Sequence, residues 1–259
     1  MEIVILDRPD LIATLIADAI ESVVSGGDRP VLGLATGSSP LGVYAELIAR
    51  HRRDLSFSNA TVFTLDEYLG LQPGHPQSYR AVIEREFTDH IDISPTAVHS
   101  PDASGRDVPA ACAAYERAIS DAGGVDLQLL GIGRDGHIGF NEPGSSLASR
   151  TRLKTLTAAS MADNARFFEQ AEDVPRHVLT QGIGTILEHR HLVLIATGQV
   201  KAAAVAAAVE GPVTASVPAS ALQLHPHVTV VVDREAASLL DQAEHYLEVY
   251  RAKPDWQSI

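Results

Sequence analysis

Asp135, His137 and Glu142 fall within the segment Asp135-Gly-His137-Ile-Gly-Phe-Asn141-Glu142. An imidazole changes charge near neutral pH, and neighbouring carboxylates can orient it and fix its protonation state. The set therefore suits acid–base work. One imidazole with two carboxylates is also a metal-ligand set, but no second His stands in an H-x-x-x-H pattern, so no metal is expected. A His held by acids in a structured loop is the plain alternative. The density of Gly favours function, because it lets the backbone pass close to a ligand.

The same stretch contains a formal G-x-G-x-x-G at Gly131, Gly133 and Gly136. A dinucleotide fingerprint requires a helix opening at the third Gly and an acid about twenty residues on. Gly139, Asn141 and Pro143 follow instead, and residues 143–162 hold no Asp or Glu. The dinucleotide reading is set aside.

Three further clusters could take part. Asp66-Glu67-Tyr68 follows an apolar run, where burial raises a carboxylate pKa and equips it to move a proton on carbon. A helix cap or surface turn would look the same. Thr36-Gly37-Ser38-Ser39 precedes Pro40, a helix starter, so hydroxyls, free N–H groups and the positive end of a helix dipole face one loop. This is a phosphate cradle or a plain N-cap, and not the nucleotide P-loop, since no Gly-Lys-Ser/Thr follows. Lys201 begins a helix, a position the dipole disfavours unless an anion is bound. Arg166 is a second candidate cation, and an exposed side chain is the alternative for both.

These clusters need elements to carry them. Val31–Ala35, Thr61–Leu65, Val125–Ile132, His191–Thr197 and Val228–Val232 read as strands, near-continuously apolar as in sheets covered on both faces. Asp10–Val24, Pro40–Arg53, Ser78–Phe87, Pro109–Ala122, Met161–Gln170 and Val200–Val209 read as helices between them. The alternation predicts an α/β fold with an open, mostly parallel sheet and helices on both faces, Rossmann-like but not dinucleotide-binding. Each chemical cluster comes just after a predicted strand, where open α/β sheets bind ligands. Without a repeat or linker, residues 1–259 are expected to form one domain.

Of 259 residues, 45% are hydrophobic and 20% charged, so the chain is ordinary globular material. A net charge of −13 without a Lys/Arg cluster argues against nucleic-acid binding. Local cations could still hold a small anion. Cys112 is the sole cysteine, so no intramolecular disulfide forms. No stretch approaches the ~18 apolar residues of a membrane span. The first residues carry no basic region followed by an apolar run. A cytoplasmic protein is expected.

Six segments resemble the glucosamine-6-phosphate deaminase family: Leu34–Pro40, Leu65–Leu71, Gly131–Pro143, Ser145–Thr157, Val209–Val213 and Leu222–Pro226. Gly-x-Gly-x-Asp-Gly-His is shared with the related 6-phosphogluconolactonases. Ile-Gly-Phe-Asn-Glu-Pro and Asp-Glu-Tyr resemble the deaminases. The resemblance implies conversion of glucosamine 6-phosphate and water to fructose 6-phosphate and ammonia. It implies that Asp66 moves the proton from C2 to C1, that His137 opens the ring, and that Asp135 and Glu142 tune His137. It places the 6-phosphate on Thr36, Gly37, Ser38 and Ser39 with Arg166 and Lys201, and calls for no metal or organic cofactor. The loop departs from many relatives, which carry a second Gly where this chain has Ser38. Some members are hexamers activated by N-acetylglucosamine 6-phosphate, and Ser145, Arg152, Lys154 and Tyr246 match positions used by those members. The expected partners are thus a sugar phosphate, that activator and further copies of the chain, with no nucleic acid or membrane.

Two alternatives remain. One is a lactonase of the same fold, with His137 activating water. The other is a non-catalytic sugar-phosphate sensor, which would need neither a carbon-acid base at position 66 nor a ring opener at position 137.

Overall fold

The computed structural model describes residues 1–259 apart from 73, 169 and 255. The chain runs β1 (Glu2–Leu6), α1 (Pro9–Gly26), β2 (Val31–Leu34), α2 (Leu41–His51), β3 (Thr61–Thr64), β4 (Asp66–Tyr68) and α3 (Tyr79–Glu86). It continues through β5 (Val98–His99), α4 (Val108–Asp121), β6 (Leu127–Gly131), β7 (Arg152–Thr155), α5 (Ala158–Asn164) and β8 (His177–Thr180). It closes with α6 (Ile183–Ile186), β9 (His191–Ala196), α7 (Ala202–Val209), β10 (Val228–Asp233) and α8 (Ala243–Arg251).

Seven strands form one sheet in the order β1-β10-β9-β6-β2-β3-β5, and every pair in it is parallel. Successive side chains of a strand point to opposite faces. Every residue of β2 and β9 is nonetheless buried, so both faces are covered, as expected. β4, β8 and β7 form a second, antiparallel sheet.

The topology fixes where a ligand can sit. From β2 the chain moves outward through β3 to β5, then returns to place β6 on the other side of β2. Crevices form at the carboxyl ends of strands where the order reverses. The loops after β2 and β6 are the two clusters Thr36–Ser39 and Gly133–His137. One residue after β3, the chain turns into β4 and the second sheet, which sets Asp66 at the junction of the two.

Several expected boundaries shift. Pro40 caps α2 instead of beginning it. The expected helix Met161–Gln170 is α5, which starts earlier and ends at Asn164. Thr157 caps it by accepting the Ser160 N–H at 3.2 Å. A 3-10 turn over Ala165–Phe167 follows, and position 169 of that expected helix lies outside the described residues. The expected helix Val200–Val209 begins as a 3-10 turn, Gln199–Lys201. Among the described residues, no helix is long and apolar enough to cross a membrane.

At the opposite end of the sheet the rings of His191 and His227 stack at 3.7 Å. Burial pushes the pKa of His189 and His191 down to about 4, below the ~6.5 of a free imidazole. The unfolded chain therefore binds these protons first, and the stability the neutral rings contribute is lost as pH falls from ~6.5 through the folded values. Calorimetry should show the thermal midpoint falling between about pH 7 and about pH 4.5, with a shallower fall in His191→Phe. An identical slope in that variant would contradict the assignment.

Candidate active site

A cleft of about 470 Å3 opens at the carboxyl ends of β2 and β6, within the range of small-molecule sites. Thr36, Gly37, Ser38 and Ser39 line one side, and Gly131, Gly133 and His137 another. Asp66, Arg166 and Lys201 complete the group. Residues far apart in sequence are thus brought to one cavity. Gly37 has φ +95°, which explains the residue type at that turn. Lys201 donates from Nζ to the Ile132 carbonyl at 2.6 Å, which holds its head near the end of β6. Arg166 is exposed, with its guanidinium 4.7 Å from the centre of the Phe167 ring.

The two acids at the start of β4 have different surroundings. Asp66 is only 6% exposed, yet it lines the cleft. Burial, with the charge of Glu67 adding, holds its carboxyl well above the usual range. Glu67 accepts three backbone N–H groups, from Tyr68 at 2.8 Å, Tyr79 at 2.8 Å and Arg80 at 2.9 Å. Two of these are the orphan donors at the start of α3, so Glu67 joins β4 to that helix. Burial still pushes its carboxyl up, against the pull of the three bonds. Glu67→Gln would set an amide NH2 against the Arg80 N–H. Its expected cost is about 1–3 kcal/mol, read from the urea midpoint; an unchanged midpoint would show that this cap is dispensable.

His137 lies close to its own backbone. A Cβ on Gly133 would come within 2.2 Å of the imidazole Nδ1 and Cε1. Gly133, part of the false dinucleotide fingerprint, is therefore the residue whose missing side chain admits the His137 ring. Nδ1 of that ring lies 2.7 Å from Asp135 Oδ1, and the same oxygen accepts the His137 N–H at 3.2 Å. The bond to His137 holds the Asp135 carboxyl down at about 2. An ionised carboxylate can only accept, so Nδ1 carries the proton and Nε2 is the accepting nitrogen of the neutral ring.

Glu142 departs from expectation. It is buried, and its Oε1 accepts from Thr157 N at 3.2 Å, from Thr157 Oγ1 at 3.1 Å and from Ser160 Oγ. In this conformation it anchors the start of α5, while Asp135 bonds His137. Thr157 and Ser160 offer three donors together, which explains the preference.

The four positions expected for regulation lie outside the cleft lining. Ser145 is buried, and its Oγ has no hydrogen-bond partner. Arg152 and Lys154 are both half-buried, two residues apart on β7 and so on one face of it. Tyr246 belongs to α8, which packs on β1. Burial and the neighbouring Glu210 push its hydroxyl up to about 12.

Tyr79, Phe140, Asn164, Ser160 and Thr197 also line the cleft and were not anticipated. Tyr79 is brought in by Glu67, which grips its N–H across 12 residues. Its ring stacks on Phe140, with centroids 5.9 Å apart. Polar and apolar character of such residues gave no signal, because the contact depends on where β4 meets α3.

Known proteins match this description. The family described as glucosamine-6-phosphate isomerases/6-phosphogluconolactonase matches residues 9–231. The glucosamine-6-phosphate deaminase of Arthrobacter sp. (strain FB24) is 62% identical over 260 residues, covering 100% of both chains. That of Mycolicibacterium smegmatis (strain ATCC 700084 / mc(2)155) is 58% identical over 261 residues, again covering 100% of both. Among solved structures, a monomeric glucosamine-6-phosphate deaminase superposes with a TM-score of 0.90 at 42% identity, over 92% of this chain and 100% of the other. The 6-phosphogluconolactonase from Trypanosoma cruzi superposes with a TM-score of 0.75 at 20% identity, over 93% of this chain and 97% of the other, a likeness of fold alone. By sequence match and by fold, this chain belongs to the glucosamine-6-phosphate isomerase/6-phosphogluconolactonase family.

Proposed function

We propose that the chain converts glucosamine 6-phosphate and water to fructose 6-phosphate and ammonia. The observation that carries this is the meeting of Asp66 and the Asp135–His137 pair in one cleft with the Thr36–Ser39 loop. Full-length identity to enzymes of that name supports it. The hydroxyls and N–H groups of Thr36, Gly37, Ser38 and Ser39 hold the phosphate, with Lys201 and Arg166 as counter-charges. His137 transfers the proton between the ring oxygen and the C1 hydroxyl, which opens the sugar to the aldehyde. Asp66 then takes the C2 proton, now acidified by the carbonyl at C1, and the electron pair forms an enol amine across C1 and C2. Return of that proton to C1 gives the imine at C2. Water adds there and ammonia leaves. A carboxyl whose pKa is raised is the stronger base once ionised, which suits proton removal from carbon.

Two acids with opposite perturbations divide the work. Asp135, held low, stays ionised and fixes the His137 tautomer; Asp66, held high, exchanges a proton. Glu142 acts on the site through α5, whose far end leads to Asn164 and Arg166 in the cleft wall. The whole of 1–259 works as one domain, in the cytoplasm, where sugar phosphates are made and used.

Regulation by N-acetylglucosamine 6-phosphate is a second reading. It is favoured by the buried, unpartnered Ser145 Oγ and by the two half-buried cations on one face of β7, with Tyr246 contributed by α8 of a homo-oligomer. A coupled ammonia assay with and without that compound tests reaction and regulation together. Ammonia release supports the deaminase, and release that rises with the compound supports the regulatory site. Lactone turnover without ammonia would overturn the first, and indifference to the compound the second. Sedimentation separates the hexamer expected from the resemblance from a monomer like the solved relative.

A further inference from the structure

The junction that carries Asp66 is held from behind by one buried residue, through its main chain and its side chain. Gln181, 0% exposed, follows β8 and the residue paired with Asp66, Thr180. Its main-chain N–H donates to Leu65 O at 2.8 Å, and its side-chain Nε2 donates to Thr64 O at 3.1 Å. Both carbonyls that immediately precede Asp66 are thus held by one residue. The Gln181 carbonyl in turn accepts from Asn141 Nδ2 at 2.8 Å, and Asn141 Nδ2 also donates to Ile138 O at 3.0 Å. The segment that carries Asp66 and the turn that follows His137 therefore meet on Gln181. Close approach of the two is visible at Gly139, where an added methyl would lie 3.6 Å from Asp66 Oδ2.

The Gln181 amide has one permitted orientation. A carbonyl only accepts, so the amide nitrogen must face Thr64 O, and Oε1 faces the His189 ring at 2.9 Å. His189 must then carry its proton on Nε2. His189 is 2% exposed, and its main-chain carbonyl accepts from His225 Nε2 at 2.7 Å. Tyr115 donates its hydroxyl to the same Thr64 O at 2.6 Å. Polar side chains linked in this way fix one another's orientation.

We propose that Gln181, oriented by His189, is a positioning residue that sets Asp66 in register with the His137 loop. This rests on the reading of Asp66 as the carbon base. Gln181 does not line the cleft, so it acts through the peptide it holds. A reacting group displaced by about 1 Å loses on the order of a hundredfold in rate.

Two variants and one measurement on the natural protein test this. Gln181→Met keeps the length and removes the amide. Its kcat for ammonia release should fall at least about tenfold with KM within about threefold, because the phosphate loop is untouched. Gln181→Glu reproduces the amide only while protonated, since an ionised carboxylate cannot donate to Thr64 O. Its kcat should approach the natural value at low pH and fall as pH rises, over a range where the natural protein does not fall. The titratable groups facing position 181 are His189 and Tyr115, with Glu116, His225 and Arg150 beyond the His189 ring. Nitrogen NMR of the natural protein should find His189 neutral and protonated on Nε2 at pH near 6. Natural kcat at every pH in either variant overturns the proposal. So does an equal, pH-independent loss in both, or a His189 protonated on Nδ1. Failure of the natural protein to release ammonia overturns the reading of Asp66 itself, and is told apart because it precedes any substitution.

Discussion

Asp66→Asn is expected to lower kcat for ammonia release by about 10²–10⁴-fold while leaving sugar-phosphate binding nearly intact. Asparagine keeps the shape of the carboxyl and removes its ability to take a proton from C2. The proposed phosphate contacts lie on other elements, so KM should change little. The same substitution should make the protein more stable at neutral pH. Burial raises the Asp66 pKa in the folded state, so the folded chain binds that proton more tightly than the unfolded chain. The cost of the buried charge is absent below the unfolded value of about 3.9 and grows as pH rises towards the folded value. Urea unfolding should therefore show Asp66→Asn ahead of the natural protein near neutrality and level with it in acid. Turnover and stability move in opposite directions, as for a carboxyl kept in an unfavourable place for its chemistry. Natural turnover in this variant would remove Asp66 as the base. Lower stability at neutral pH would contradict its described surroundings.

Gly133→Ala is expected to lower kcat/KM by about 10²-fold without unfolding the chain. The new methyl would stand 2.2 Å from the His137 ring, a separation that atoms do not tolerate. The ring must move, and the 2.7 Å bond from Nδ1 to Asp135 breaks or lengthens. Asp135 then loses the main interaction that holds its carboxyl low. Both halves of the proposed ring-opening pair are disturbed by one carbon atom placed beside them. Steady-state kinetics, with circular dichroism to verify the fold, decide the matter. Natural kinetics in Gly133→Ala would mean that the ring of His137 is free to shift without consequence.

The sequence announced the large sheet more readily than the small one. β2 and β9 are buried along their length, and β6 and β10 along all but their last residue, so their apolar runs stood out. β1, with Ile3-Val4-Ile5, is equally apolar but so short a run that nothing in it distinguishes a strand from a chain start. β4 and β7 read Asp-Glu-Tyr and Arg-Leu-Lys-Thr, which carry no apolar run. They exist because each pairs with β8, far along the chain. The site divides in the same way. Asp66, His137, Lys201 and the loop from Thr36 were legible because they follow apolar strands directly. Tyr79 and Gln181 were not, since each owes its place to a bond across the fold. The surroundings of Glu142 were hidden for the same reason: Thr157 and Ser160, which engage it, come from the next helix.

The resemblance to a dinucleotide fingerprint illustrates how one pattern serves two purposes. Glycines spaced for a close approach admit a cofactor phosphate in one setting. Here Gly133 admits the imidazole of its own loop. Motif and chemistry part company once the residue that fills the vacant space is identified.

The most direct test of the central claim is to mix purified protein with glucosamine 6-phosphate and count ammonia and fructose 6-phosphate together, for the natural chain and for Asp66→Asn. The expected result is one ammonia for each fructose 6-phosphate from the natural chain, and a trace of both, lower by about 10²–10⁴-fold, from the variant. Equal release from the two proteins, or none from the natural chain, would contradict the claim.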